Sequence, residues 1–179
     1  MIDSHSHIYC DAFDTDREEM LLRAREAGVT HIVMPNENLE SISRLKAVYD
    51  AHPQFVSMTI GLHPEEIGDD YHEQLQAMHQ MLAEGTMPVV AVGEIGIDLY
   101  WSREHRDRQI EAFREQTAIA AELGLPVIIH CREGLDETLQ VISGLKAQDK
   151  CPRLLFHSFT YGPDEVKRIR AVDPEAMFG

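Results

Sequence analysis

Cysteine is scarce in this chain. Only Cys10, Cys131 and Cys151 occur among 179 residues, with no C-x-x-C pair. That excludes a disulfide framework and a thiolate zinc knuckle, and predicts reduced thiols, with Cys131 and Cys151 as small buried hydrophobes. Glycine is also sparse, at 11 residues. Gly93-Glu94-Ile95-Gly96 fits neither a dinucleotide fingerprint nor a P-loop, and there is no G-x-S-x-G nucleophile elbow. Basic residues number 16 against 31 acidic ones, a net charge of −15. Bulk electrostatics therefore disfavour a nucleic-acid clamp, although bound cations can supply local positive charge. No apolar run approaches the ~18 residues of a membrane helix. The start, Met1-Ile2-Asp3-Ser4-His5, lacks the basic and apolar regions of a signal peptide. The expected compartment is the cytoplasm.

What is present is alternation. β-branched runs at 1–8, 30–34, 55–60, 88–94, 126–130 and 153–157 are each followed by an amphipathic stretch. The helices are expected at Arg17 to Ala27, around Leu39 to Tyr49, around Leu75 to Leu82, at Glu104 to Leu123, around Leu135 to Leu145, and at Pro163 to Val172. Gly28 and His52-Pro53 supply stop signals for the first two. Six strand-then-helix units predict an α/β fold with a parallel sheet covered by helices. An open doubly wound sheet and a barrel both fit. A (β/α)8 barrel usually needs about 250 residues, and six units are two short of it.

Active sites of both architectures gather at the C-terminal ends of the strands. Five of the ten histidines fall there: His5, His7, His63, His130 and His157. In an extended segment residues i and i+2 point the same way, so His5 and His7 make a bidentate clamp. Glu94, His130 and His157, each closing its own apolar run, can converge on that clamp. Four imidazoles and one carboxylate exceed the needs of one tetrahedral ion, and two ions sharing Glu94 would use them all. His31, His52, His72, His79 and His105 read as solvated or packing residues. Arg132 is either a phosphate ligand or a surface arginine at a helix start. Asp98 either holds a ligand or a substrate hydroxyl, or caps a turn. Gly-x-His-Pro at His63 is either a turn or part of the mouth. Tyr100 and Trp101 either stack on a base or cover the core.

These motifs together resemble the TatD-type metal-dependent hydrolases, a branch of the amidohydrolase-like TIM barrels. The resemblance rests on Ile2-Asp3-Ser4-His5-Ser6-His7, Gly61-Leu62-His63-Pro64, Gly93-Glu94-Ile95-Gly96-Ile97-Asp98, Pro126 to Arg132, and Phe156-His157-Ser158-Phe159. It implies one ion on His5, His7 and Glu94, and a second on Glu94, His130 and His157. It places His63 near a scissile phosphate; the expected catalytic residues are Glu94 and His63, and from the residue reading above Arg132 and Asp98 are expected to bind substrate. The implied cofactors are two divalent ions (Mg, Mn or Zn), and the implied activity is a 3′-exonuclease-like deoxyribonuclease acting through an activated water. The expected partner is DNA or a small phosphoester, with no membrane and no stable protein partner.

Two positions depart from the family's pattern. Tyr9 stands where Asp or Asn is usual, and the Asp that tips the family's eighth strand is absent from the sequence. The expectation is a single hydrolase domain over residues 1–179, cut short at its C-terminal end. Two alternatives stay open: hydrolysis of a small amide, lactone or phosphate ester on the same scaffold, and an inactive truncated chain. Amide-cleaving relatives often bridge their metals with a carboxylated Lys, and the fourth strand offers only Glu94.

Overall fold

A computed structural model describes residues 1–179. Seven strands form one sheet: β1 (Ile2–Asp3), β2 (His31–Met34), β3 (Val56–Ile60), β4 (Val89–Asp98), β5 (Val127–Arg132), β6 (Leu154–Phe156) and β7 (Met177–Phe178). Between them run α1 (Arg17–Glu26), α2 (Ser41–Ala51), α3 (Tyr71–Glu84), α4 (Arg106–Leu123), α5 (Leu135–Lys146) and α6 (Pro163–Val172). The strands lie side by side in sequence order and every pair is parallel.

That order decides between the two architectures. A doubly wound sheet reverses its strand order at a switch point. Here the order never reverses, so right-handed crossovers place every helix on one side of the sheet. The sheet curls the other way, as an arc of a TIM-type barrel. No helix is long and apolar enough to cross a membrane.

The apolar face of each helix packs on the outside of the arc. Leu21, Leu45 and Val48 meet Ile32, Met34, Val56 and Met58 at one end. Phe113, Ala120, Leu139, Ile142 and Ile169 meet Ile95, Ile97, Val127, Ile129, Leu154 and Phe156 at the other. Alternation along β2 and β3 turns His31 and Ser57 to the inner side, where His31 Nε2 lies 2.7 Å from Ser57 Oγ.

The structure departs from the sequence reading in three places. The first strand is two residues long, because the chain leaves the ladder after Asp3, whose Oδ1 accepts the His5 amide at 3.1 Å. The fourth strand does not end at Glu94 but continues to Asp98. Gly96 permits this. It has φ 150°, and a Cβ there would lie 1.9 Å from the His130 carbonyl oxygen, so only glycine keeps the two backbones in register. Finally, the six expected strands become seven, since Met177 and Phe178 pair with Leu155 and Phe156. Two residues are too short a run for periodicity to reveal.

Candidate metal centre

β4 and β5, and the segments that follow β1, β3 and β6, deliver side chains to one point at the C-terminal edge of the arc. Glu94 occupies that point, with only 2% of its surface exposed. A register shift between Val92 and Ile95 marks its place in β4. Its amide donates to Asn36 O at 3.2 Å, and the Gly93 carbonyl accepts the Thr59 hydroxyl. The loop after β2 and the end of β3, both on one side of this segment, therefore hold its backbone in place.

The two oxygens of Glu94 face two groups of imidazoles. Oε2 lies 3.0 Å from His5 Nε2 and 3.4 Å from His7 Nε2, and those nitrogens are 3.1 Å apart. Oε1 lies 2.8 Å from His130 Nδ1, 3.4 Å from His63 Nε2, and in contact with His157 Nε2. The His5 and His157 rings stack at 3.8 Å between the groups. The i, i+2 clamp thus forms as expected, although residues 4–8 lie outside the ladder.

This donor set fits divalent cations. Imidazole nitrogens crowd within 3.1 to 3.4 Å of one another around a single carboxylate. A neutral imidazole has one proton, so nitrogens this close cannot all find donors, and their lone pairs converge. Cations take such lone pairs, and imidazole with carboxylate suits Zn or Mn. His5, His7 and Glu94 form one potential ligand group; His63, Glu94 and His130 form another. His157, predicted from sequence, reaches the same Oε1.

Tautomers refine these roles. His63 Nδ1 accepts the Glu65 amide at 3.1 Å, so its proton sits on Nε2 and points at Glu94 and His130. In that form His63 is a hydrogen-bond donor rather than a ligand. His130 Nε2 lies 2.8 Å from Asp98 Oδ2, which leaves the Nδ1 lone pair free for an ion. Of the roles open to Asp98 in the sequence (holding a ligand, a substrate hydroxyl or a turn), substrate binding is the expected one. Its oxygens accept from His130 and, at 2.9 Å, from the Tyr100 amide, so the carboxylate stands behind His130 and aims it.

Charge follows the same geometry. Burial by itself raises the Glu94 carboxyl, but hydrogen bonds from His130, His157, His5 and His63 outweigh it and hold the group far below the usual carboxylate range. His130 is pulled down by burial, yet Glu94 and Asp98 together raise it above an ordinary imidazole. His157 ends lower, because burial and its neighbours His5 and His130 outweigh Glu94.

Arg132 lies at the rim. Its guanidinium covers the Tyr100 ring at 3.6 Å and sits 5.3 Å from Trp101, whose surface is 69% exposed. A cleft of about 450 Å³ opens beside them, lined by Pro64, Ile67, Asp98, Trp101, His105 and Gln109 among others.

Several supporting residues escaped the sequence reading. Asn36 is fully buried, and its Oδ1 accepts the Gly61 amide. On α4, Gln109 Oε1 accepts the Asp98 amide at 2.9 Å and Gln116 Oε1 accepts the Leu62 amide at 2.7 Å. Gln109 and Gln116 are spaced i, i+7 on the face that carries Ala112 and Phe113, and polar residues inside an apolar helical stripe were the available signal. Glu37 reaches His7 Nδ1 at 3.8 Å from the loop after β2; no motif marks it.

The comparisons with known proteins place the whole chain in one family. The model of the TatD related DNase family matches residues 2–175. The metal-dependent hydrolase YabD of Bacillus subtilis is 33% identical over 94% of this chain, covering 64% of its own length. The 3′-5′ ssDNA/RNA exonuclease TatD of Cronobacter sakazakii is 34% identical over 96% of this chain and 63% of its own. The chain therefore spans a little under two thirds of these curated relatives. Among solved structures, the Escherichia coli TatD homologue YjjV superposes over the whole chain with a TM-score of 0.85 at 32% identity, covering 67% of that protein. A TatD family hydrolase from Entamoeba histolytica superposes at 0.79 with 21% identity, covering all of this chain and 64% of that one, and supports the fold alone. On these grounds the chain belongs to the TatD-related DNase family.

Proposed function

We propose that this chain carries the metal centre of a phosphodiester hydrolase that acts on single-stranded nucleic acid. The observation that carries the reading is Glu94, with His5 and His7 on one oxygen and His130 and His157 on the other. Two divalent ions on such a shared carboxylate would activate water and neutralise the phosphate. His5, His7 and Glu94 would hold one, and Glu94, His130 and His157 the other. Asp98 keeps the His130 proton on Nε2. His63 presents its Nε2 proton toward the centre, where it can donate to a phosphate oxygen or a leaving group. Arg132 and Trp101 offer a phosphate contact and a stacking surface at the rim. The relatives named as ssDNA/RNA exonucleases support the substrate class.

The test is metal content and nucleotide release from single-stranded DNA, compared with Glu94→Gln. The neutral amide keeps the shape of the side chain and removes the bridging charge. A folded variant without metal and without release supports the reading. Release that survives Glu94→Gln overturns it.

A further inference from the structure

The His7 ring has a second face that the centre does not use. Its Nε2 points at Glu94, while its Nδ1 points outward, 3.8 Å from Glu37 Oε1. Cys10 Sγ completes a group in which one donor atom from each of His7, Cys10 and Glu37 lies within 4.8 Å of the others. Ligands 2.0 to 2.3 Å from a tetrahedral zinc stand roughly 3.3 to 3.8 Å apart; His7 Nδ1 and Glu37 Oε1 are already at 3.8 Å, and the group closes around an ion by drawing in roughly an ångström at most. Cys10 forms no disulfide.

We propose that His7 Nδ1, Cys10 Sγ and Glu37 form a separate outer site for one thiophilic divalent cation, such as Zn or Cd, and that its occupation opposes metal binding at the inner centre.

The backbone around the outer site is already held in place. Arg17 donates to the carbonyls of Ile8 and Cys10 at 2.7 and 3.0 Å, and Arg44 donates to that of Tyr9 at 3.1 Å. Asp14 pairs with both guanidiniums, at 2.7 Å to Arg17 and 2.6 Å to Arg44, and so offsets their charge beside a cation. The Glu37 loop is pinned by its amide on Ser41 Oγ at 3.2 Å and by its carbonyl, which accepts the His63 amide at 2.8 Å. Tyr9 OH lies 3.0 Å from His7 Nδ1 and 3.4 Å from Glu37 Oε2. The hydroxyl donates to Oε2, so a cation that takes Nδ1 displaces only the bond between His7 and the hydroxyl oxygen. Glu37 then ligates with the oxygen that already faces His7.

One imidazole, one thiolate and one carboxylate leave a fourth position for water. The soft thiolate selects Zn or Cd over Mg or Mn. On binding, the thiol proton passes to solvent. The antagonism follows from the imidazole itself. A cation on one ring nitrogen leaves the proton on the other, where an oxygen accepts it. With an ion on Nε2, the Nδ1 proton goes to the Tyr9 hydroxyl oxygen, which in turn donates to Glu37 Oε2; with an ion on Nδ1, the Nε2 proton goes to Glu94 Oε2. Filling the outer site therefore turns His7 from an inner ligand into a donor to Glu94. This antagonism rests on the proposed function, whereas binding at the outer site does not.

The experiment titrates the metal-stripped protein with Cd and reads the ultraviolet thiolate-to-cadmium charge-transfer band. Among the proposed inner ligands none is a thiol, so the band reports the outer site. A single saturating band that disappears in Cys10→Ser and shifts about tenfold to higher Cd in Glu37→Gln is the expected result. No band, or one of equal intensity in Cys10→Ser, overturns the proposal by assigning any thiolate to Cys131 or Cys151. A second arm measures the ratio of Mn-supported nucleotide release with and without Zn. A ratio well below unity in the wild type that recovers in Cys10→Ser supports the antagonism, and equal ratios refute it. Absence of release from every preparation, with the band intact, counts against the proposed function and leaves the outer site standing.

Discussion

Replacing Asp98 by Asn tests the support behind the centre. Both Asp98 oxygens act as acceptors: Oδ2 for His130 Nε2 at 2.8 Å and Oδ1 for the Tyr100 amide at 2.9 Å. Asparagine has one acceptor and one donor. If its oxygen stays on Tyr100, its NH2 faces His130 and drives the imidazole proton to Nδ1, where the ligand lone pair is needed. If its oxygen turns to His130, its NH2 meets the Tyr100 N–H. A buried charge-assisted hydrogen bond contributes about 1.5–3 kcal/mol. Loss of the carboxylate behind a ligating imidazole typically costs 10- to 100-fold in metal affinity, roughly 1.4 to 2.7 kcal/mol. The two figures agree, so the expected loss lies within that span.

The loss depends on pH with a definite sign. Asp98 also helps hold the His130 pKa up, so protons compete with metal more strongly in the wild type. Asn removes that competition along with the orientation. The affinity gap is therefore largest well above the ordinary imidazole value of about 6.5 and narrows below it. Calorimetric Mn or Zn titrations across that value would measure it, with circular dichroism to confirm folding. Unchanged affinity at high pH in a folded variant, or a gap that widens on acidification, would refute the account of Asp98.

Other perturbations follow from the same geometry. In the metal-free protein the Glu94 pKa is depressed, so its stabilising contribution is present above the unfolded value of about 4.3 and is lost as pH falls toward its folded value. Urea melts of wild type and Glu94→Gln should therefore differ in their acid limb, with the variant losing less stability there. Gly96→Ala places a Cβ 1.9 Å from the His130 carbonyl oxygen at φ 150°; it should destabilise by more than about 2 kcal/mol and lower metal content, read by denaturation and elemental analysis. Under the proposed function, Trp101→Ala removes an exposed ring on which a base would stack, worth about 1–3 kcal/mol per base, so KM for single-stranded DNA should rise severalfold or more while kcat changes little. A fall in kcat at constant KM would place Trp101 elsewhere in the cycle.

Much of this protein is written locally in its sequence. The β-branched runs and helical stripes specify six strand–helix units, because alternation and 3.6-residue periodicity are properties of neighbouring residues. Histidines at strand ends are legible for the same reason, since parallel strands carry their C-terminal residues to one edge. His5, His7, Glu94, His130 and His157 do meet there. The tertiary structure decided what depends on distant partners. It chose the barrel arc over the doubly wound sheet, because strand order is a relation between units. It carried β4 past Glu94, because Gly96 needs the His130 backbone beside it. It set the proton of His63 through the Glu65 amide and that of His130 through Asp98. It also gave His7 a second carboxylate, 30 residues downstream, that no spacing rule could have paired with it.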